Sequence, residues 1–257
     1  MGNKYFVIDN GSLKSISIKK ELFKILEKNN WEYNQNDYDY LFIIGGDGTF
    51  LKSLNYFKDK KIIAINGGNL GYYSEFNKFN LKNIVKNITN NNNFSRMILL
   101  KLLVNNHQYF CLNEIYIKSD STLKGNVYIN HCKLEFFKGT GLMIVTPMGS
   151  TAHSKNAGGA LIYKNLKVIE LIEIHPLSQK GYSTLKSPLI LPANTTIEFV
   201  NKQTLSQIDL ILDGRLINKK AVDNLKIVAV ESDFKFYCPN STKSYISKLK
   251  HSFIRGE

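Results

Sequence analysis

An α/β amino-terminal domain built on a parallel sheet, followed by a mostly β domain that ends in a helix, is the fold class that three features predict for this chain of 257 residues. Over residues 1–93, short all-apolar runs alternate with stretches of helical periodicity, the pattern of parallel strands joined by helices. From Phe94 onward, runs rich in Ile, Val, Leu, Tyr and Phe recur with turn residues between them, as in a sheet of antiparallel strands. Ser241–Ile254 then returns to helical spacing. The expected domains are therefore 1–93 and 94–257, divided at the polar break Asn90–Asn93.

Taken in order, Lys4–Ile8 reads as a strand and Asp9–Ser12 as a turn. Ile16, Ile18, Leu22, Phe23, Ile25 and Leu26 form the apolar side of a helix that closes near Asn29 and Asn30. Leu41–Ile44 is the all-apolar run of a parallel strand buried on both faces, and Gly45 and Gly46 let the chain turn at its end. Thr49 is the expected cap of a helix carrying Phe50, Leu51 and Leu54. Lys61–Ile65 repeats the strand pattern and runs into a second glycine-rich turn, Asn66–Tyr73. Two such turns at neighbouring strand ends would wall one crevice, where open α/β sheets bind ligands. Tyr72 and Tyr73 would either stack on a ligand there or pack in the core. Leu81–Ile88 reads as helical.

The strands expected beyond are Met97–Val104, Tyr109–Ile117, Asn126–Phe137, Leu142–Val145, Thr196–Val200, Ile208–Leu212, Leu225–Val230 and Lys235–Cys238, with Asn165–Ile172 as a helix.

Composition narrows the functional classes. A hydrophobic fraction of 43% suits a soluble globular core, and no apolar run approaches the roughly 18 residues that cross a bilayer. The amino terminus has no signal-peptide pattern, so a cytoplasmic location without a membrane partner is expected. Cys111, Cys132 and Cys238 are too far apart to form a disulfide framework or zinc site. The net charge of +13 comes from scattered lysines rather than a basic patch. Nucleic acid is therefore not an expected partner, although the field would favour the approach of a polyanionic nucleotide.

Three stretches carry chemistry. Gly45-Gly46-Asp47-Gly48-Thr49 is either an ordinary tight turn or a phosphate cradle. It is neither a Walker A loop, having no closing Gly-Lys-Ser/Thr, nor a dinucleotide fingerprint, having Leu51 where a third glycine belongs. A carboxylate beside phosphates is unfavourable unless a metal or a substrate hydroxyl shares the space, so Asp47 points to phosphoryl transfer. Between Gly139 and Gly159, the small residues Gly149, Ser150, Thr151 and Ala152 leave room for a planar base to approach the backbone. Asn113 and Glu114 are polar where a strand should be apolar, as at a wet site.

Gly45–Thr49, Asn113-Glu114 and Thr146-Pro147-Met148-Gly149-Ser150-Thr151-Ala152, in this order and spacing, closely resemble the NAD kinases of bacteria. The likeness also covers Asn66–Tyr73, Ser187–Pro192 and Asp213-Gly214. It implies transfer of the terminal phosphoryl group of ATP, or of inorganic polyphosphate, to the 2′-hydroxyl of the adenosine ribose of NAD, with magnesium on the donor phosphates and a homodimer or homotetramer. It further implies that Asp47 faces that hydroxyl, that Gly46, Gly48 and Thr49 border phosphates, and that Tyr72 and Tyr73 line the dinucleotide groove. Asn113 and Glu114 would bind the NAD nucleoside; Thr151 and Ala152 the adenine, with Met148, His153, Ser154, Lys155 and Asn156 around it; and Lys52 and Lys138 the anionic parts. Thr140 stands where the family carries Asp, Met148 where it has Thr or Ser, His153 where it has Tyr, and His175 where it places a small residue near the nicotinamide. A lipid kinase, which can carry the same glycine turn, and a non-catalytic nucleotide- or RNA-binding protein are the alternatives.

Overall fold

The structure is a computed structural model that describes residues 3–68, 71–89, 93–178, 183–202, 207–239 and 241–254, with the backbone alone for 207 and 218–221. The chain divides into two compact units, one of residues 1–97 with 232–257 and one of Ile98–Glu231.

In the first unit the strands are β1 (Lys4–Asp9), β2 (Glu32–Tyr33), β3 (Tyr40–Gly45), β4 (Lys61–Asn66), β5 (Phe76–Asn77) and β6 (Phe94–Ser95). Helix α1 (Leu13–Lys28) crosses from β1 to β2, and α2 (Asp47–Lys52) and α3 (Ile84–Ile88) are shorter. β1, β3 and β4 pair in parallel, and β3 is buried at every position, as its unbroken apolar run requires. Ser12 caps α1 by accepting from the N–H of Ser15 at 3.2 Å. Ile18, Leu22 and Leu26 lie at 0–1% exposure against the sheet, each contributing roughly 1.5–3 kcal/mol, whereas Ile16 of the expected stripe is exposed.

The second unit is a sheet of antiparallel pairs: β7 (Ile98–Val104), β8 (His107–Cys111), β9 (Glu114–Ile129), β10 (Cys132–Val145), β11 (Val168–Ile174), β12 (Leu189–Pro192), β13 (Thr196–Asn201), β14 (Gln207–Leu212), β15 (Arg215–Ala221) and β16 (Asn224–Glu231). The long β9–β10 hairpin is its spine, and it turns at Asn130 and His131, whose φ values of 49° and 66° suit an Asn-containing turn. A four-residue helix, α4 (His153–Asn156), follows β10. The chain then re-enters the first unit as β17 (Lys235–Tyr237), which lies between β4 and β6, and ends in α5 (Thr242–Phe253).

Several sequence expectations change. Residues 165–172 do not form a helix: Val168–Ile174 is strand β11, paired with β10 and β12, and its β-branched residues suit that place. Tyr109–Ile117 is not one strand but two, broken at Leu112 and Asn113. Thr49 is not a cap: the helix begins at Asp47, with Gly46 preceding it in extended conformation. β17 and α5, expected with the β domain, pack with the first unit, because β17 pairs in parallel with β4. Asn90–Asn92 of the expected break and Asn69–Leu70 of the second glycine turn lie outside the described residues.

Candidate active site

In the first unit the expected site residues gather at the end of β3. A Cβ on Gly45 would sit 2.5 Å from Thr49 Oγ1, so only glycine lets α2 start this close to the strand. Added Cβ atoms on Gly46 and Gly48 would meet nothing within 4 Å, so the turn faces open space there. Asp47 Oδ2 accepts from the Tyr72 N–H at 3.2 Å and Oδ1 from the Tyr73 N–H at 3.4 Å. Burial raises the Asp47 pKa above its ordinary value, and these two N–H groups and the charge of Lys248 oppose that rise. The result is an oriented carboxylate that can still take a proton.

The two tyrosines serve through their backbones. The Tyr73 ring is 4% exposed and stacks on Phe50 with centroids 4.4 Å apart, so it belongs to the core. The Tyr72 ring stacks on Phe253 at 5.7 Å. Lys52 is exposed at the end of α2.

In the second unit the expected residues gather around the break between β8 and β9. Asp213, at the β14–β15 turn with φ 48°, accepts from the N–H of Leu112 at 2.9 Å and of Asn113 at 2.7 Å. Thr146 Oγ1 donates to the Leu112 carbonyl at 2.5 Å and accepts from the Gly149 N–H at 3.2 Å, while the Thr146 N–H reaches the Asn113 carbonyl at 2.9 Å. Gly149 lies so near that a Cβ would be 2.2 Å from the Asn113 carbonyl oxygen. One knot thus joins Asn113-Glu114, Thr146–Gly149 and Asp213-Gly214.

At this knot the Glu114 side chain is 6% exposed and its Oε2 is buried with no protein partner. Burial first, and the charge of Asp213 second, push its pKa up to about 7. A buried carboxyl oxygen without a protein partner is unusual and leaves hydrogen-bonding capacity unused.

Past the knot, Ser150 Oγ donates to the Pro147 carbonyl at 2.7 Å and accepts from the Ile162 N–H at 3.1 Å. Ser154 Oγ donates to the Gly149 carbonyl at 3.0 Å, and Glu170 Oε1 accepts from the Ala160 N–H at 2.7 Å. These contacts fix residues 146–162 and leave Thr151 and Ala152 half-buried, Met148 buried, Lys155 half-buried and Asn156 exposed. His153 is exposed and meets Tyr116 edge-on at 5.7 Å. Thr140 Oγ1 lies 3.4 Å from His175 Nδ1, so these two expected residues do come together. Lys138 is half-buried, its ammonium 5.8 Å from the Phe136 ring centroid.

Residues 6–94 match the ATP-NAD kinase N-terminal domain and residues 112–238 the ATP-NAD kinase C-terminal domain. The chain belongs to the NAD kinase family. It is therefore a phosphotransferase that acts on NAD. The NAD kinase of Mycoplasmoides gallisepticum is 33% identical over 99% of this chain and 95% of its own length, and that of Mycoplasma genitalium 34% over 88% and 89%. Two solved structures share the fold: yeast NADH kinase complexed with NADH, with a TM-score of 0.80 and 17% identity over 100% of this chain and 89% of that one, and an NAD kinase from Archaeoglobus fulgidus in complex with ATP, with 0.78 and 19% over 96% and 98%. The lipid-kinase and non-catalytic alternatives gain no support from these likenesses.

Within this NAD kinase, the local sequence does not announce Thr146, Asp213 and Glu170 as the groups that hold residues 112–113 and the 146–162 segment, or Lys248 as the cation beside Asp47. Glu170 left one signal, a lone acid inside Val168–Ile172. Lys248 left none, since a lysine on an exposed helix looks like any other.

Proposed function

We propose that this NAD kinase moves the terminal phosphoryl group of ATP to the 2′-hydroxyl of the adenosine ribose of NAD, with Asp47 at that hydroxyl. The observation that carries the reading is the Asp47 carboxylate, half-buried beside open space and aimed by two backbone N–H groups. The 2′-oxygen forms its bond to the γ-phosphorus as the bond to the β–γ bridging oxygen breaks, and ADP leaves. The hydroxyl becomes acidic as that bond forms, so the Asp47 carboxylate takes the proton late and meanwhile holds the nucleophile in line.

Gly46, Gly48 and Thr49 are assigned to phosphates, and Lys52 and Lys138 to anionic parts of the substrates. Asn113 and Glu114 are assigned to the NAD nucleoside, and Thr151 and Ala152 to the adenine with Met148, His153, Ser154, Lys155 and Asn156 around it. Thr140 and His175 are assigned to the nicotinamide end. Tyr72 borders the dinucleotide, and Tyr73 contributes its N–H to Asp47. A divalent ion, magnesium, is assigned to the donor phosphates, whose charge it would neutralise. We place the enzyme in the cytoplasm as a homodimer or homotetramer; no described helix is long and apolar enough to cross a membrane.

The test is NADP formation from NAD with ATP and with polyphosphate side by side, for the parent and for Asp47→Asn. Turnover with ATP that falls roughly 10²- to 10⁴-fold in the variant while NAD still binds is the expected result. Near-parental turnover of a folded Asp47→Asn would refute the role given to Asp47, and turnover with polyphosphate alone would replace ATP as donor.

A further inference from the structure

We infer that Lys248, on the carboxy-terminal helix, is a positioning residue for Asp47 and acts through the peptide unit between Tyr72 and Tyr73. Lys248 Nζ donates to the Tyr72 carbonyl oxygen at 3.1 Å. The other end of that same planar unit is the Tyr73 N–H, which donates to Asp47 Oδ1. An ammonium on the oxygen of a peptide fixes the plane and polarises its N–H, so the bond to Asp47 is both aimed and strengthened.

The lysine is itself held. Its Nζ lies 2.9 Å from Glu75 Oε1, and Ser244 Oγ donates to Glu75 Oε2 at 2.7 Å. The side chains of Lys248 and Glu75 are 15% and 8% exposed, so this is a mostly buried pair whose disruption leaves a charge uncompensated. Phe253, five residues on, stacks on Tyr72. No residue of α5 is fully buried, so these contacts, rather than apolar packing, fix where the helix lies against the 71–75 turn. Among the described residues, the titratable groups around Asp47 are Tyr72, Lys248 and, paired with Lys248, Glu75. The Lys248 charge favours the ionised form of Asp47, so its loss moves the acid limb of the rate profile to higher pH, and loss of the Glu75 charge moves it to lower pH.

This inference rests on the role proposed for Asp47. The experiment measures kcat and KM for NAD across pH for Lys248→Met, Lys248→Arg, Glu75→Gln and Asp47→Asn, with thermal unfolding of each. For Lys248→Met we expect kcat to fall about 10- to 100-fold with KM for NAD little changed, and the acid limb to rise. Lys248→Arg should recover most of the rate, and Glu75→Gln should shift the limb downward. An unchanged profile in folded Lys248→Met overturns the inference. If that variant does not fold, an unshifted limb in Glu75→Gln overturns it. Should Asp47→Asn keep its turnover, the proposed role of Asp47 fails and this inference with it. Loss in Asp47→Asn beside a parental Lys248→Met removes only the inference.

Discussion

Asp47 and Glu114 are both carboxyl groups that their surroundings make harder to ionise, yet they are built for different tasks. Asp47 is lifted by burial, and two N–H donors and a lysine oppose that rise. Glu114 has an oxygen with no donor, and its pKa reaches about 7. That has a stability consequence with a definite sign. A carboxyl whose folded pKa lies above its unfolded value near 4.5 favours the folded state at low pH and loses that advantage as pH rises toward 7. At full ionisation the cost is about 3 kcal/mol, so Glu114→Gln should unfold at a higher temperature than the parent at pH 8, and the gap should shrink toward pH 5. A gap independent of pH would place the stability change elsewhere. If Glu114 also accepts from NAD, the same variant should bind NAD more weakly, a stability gain bought with function.

At the scale of elements, the site is made where regular structure stops. β8 cannot run on into β9 because the N–H groups of Leu112 and Asn113 are drawn to Asp213 rather than to a strand partner, and Thr146 accepts the task of pinning Leu112 and Gly149. Thr146→Val keeps the shape and removes the hydroxyl, which leaves a buried carbonyl and N–H unpaired. We expect a loss of roughly 1–3 kcal/mol in urea unfolding and a rise in KM for NAD; stability within error of the parent would show that the hydroxyl is dispensable. The local sequence shows only part of this. Asn113-Glu114 stand out as polar inside an apolar run, but nothing nearby announces that a turn 100 residues away, at Asp213, will hold them. The same blindness explains β11, where the Val168–Ile172 text suits helix or strand and the open edge of β10 decides for strand.

For the molecule as a whole, the chain order and the packing order differ. β17 lies between β4 and β6 in the first unit's sheet, and Phe236 is 1% exposed there. A chain ending at Glu231 would leave the edge of β4 without that partner and remove α5, so we expect it to lose cooperative unfolding of the first unit and all NADP formation; a 1–231 chain with a parental melting curve would contradict this. The sequence by itself determined the fold class, the glycine turn ahead of α2 and the family, because buried parallel strands need unbroken apolar runs and a close strand-to-helix turn needs glycine, both of which are local demands. Only the tertiary structure decided that Tyr73 offers its N–H instead of its ring, that β11 is a strand, that the last strand returns to the first sheet, and that Lys248 stands behind Asp47. Each of these depends on which partner a long-range contact supplies, and the free energy of such a contact is not written in the neighbouring residues.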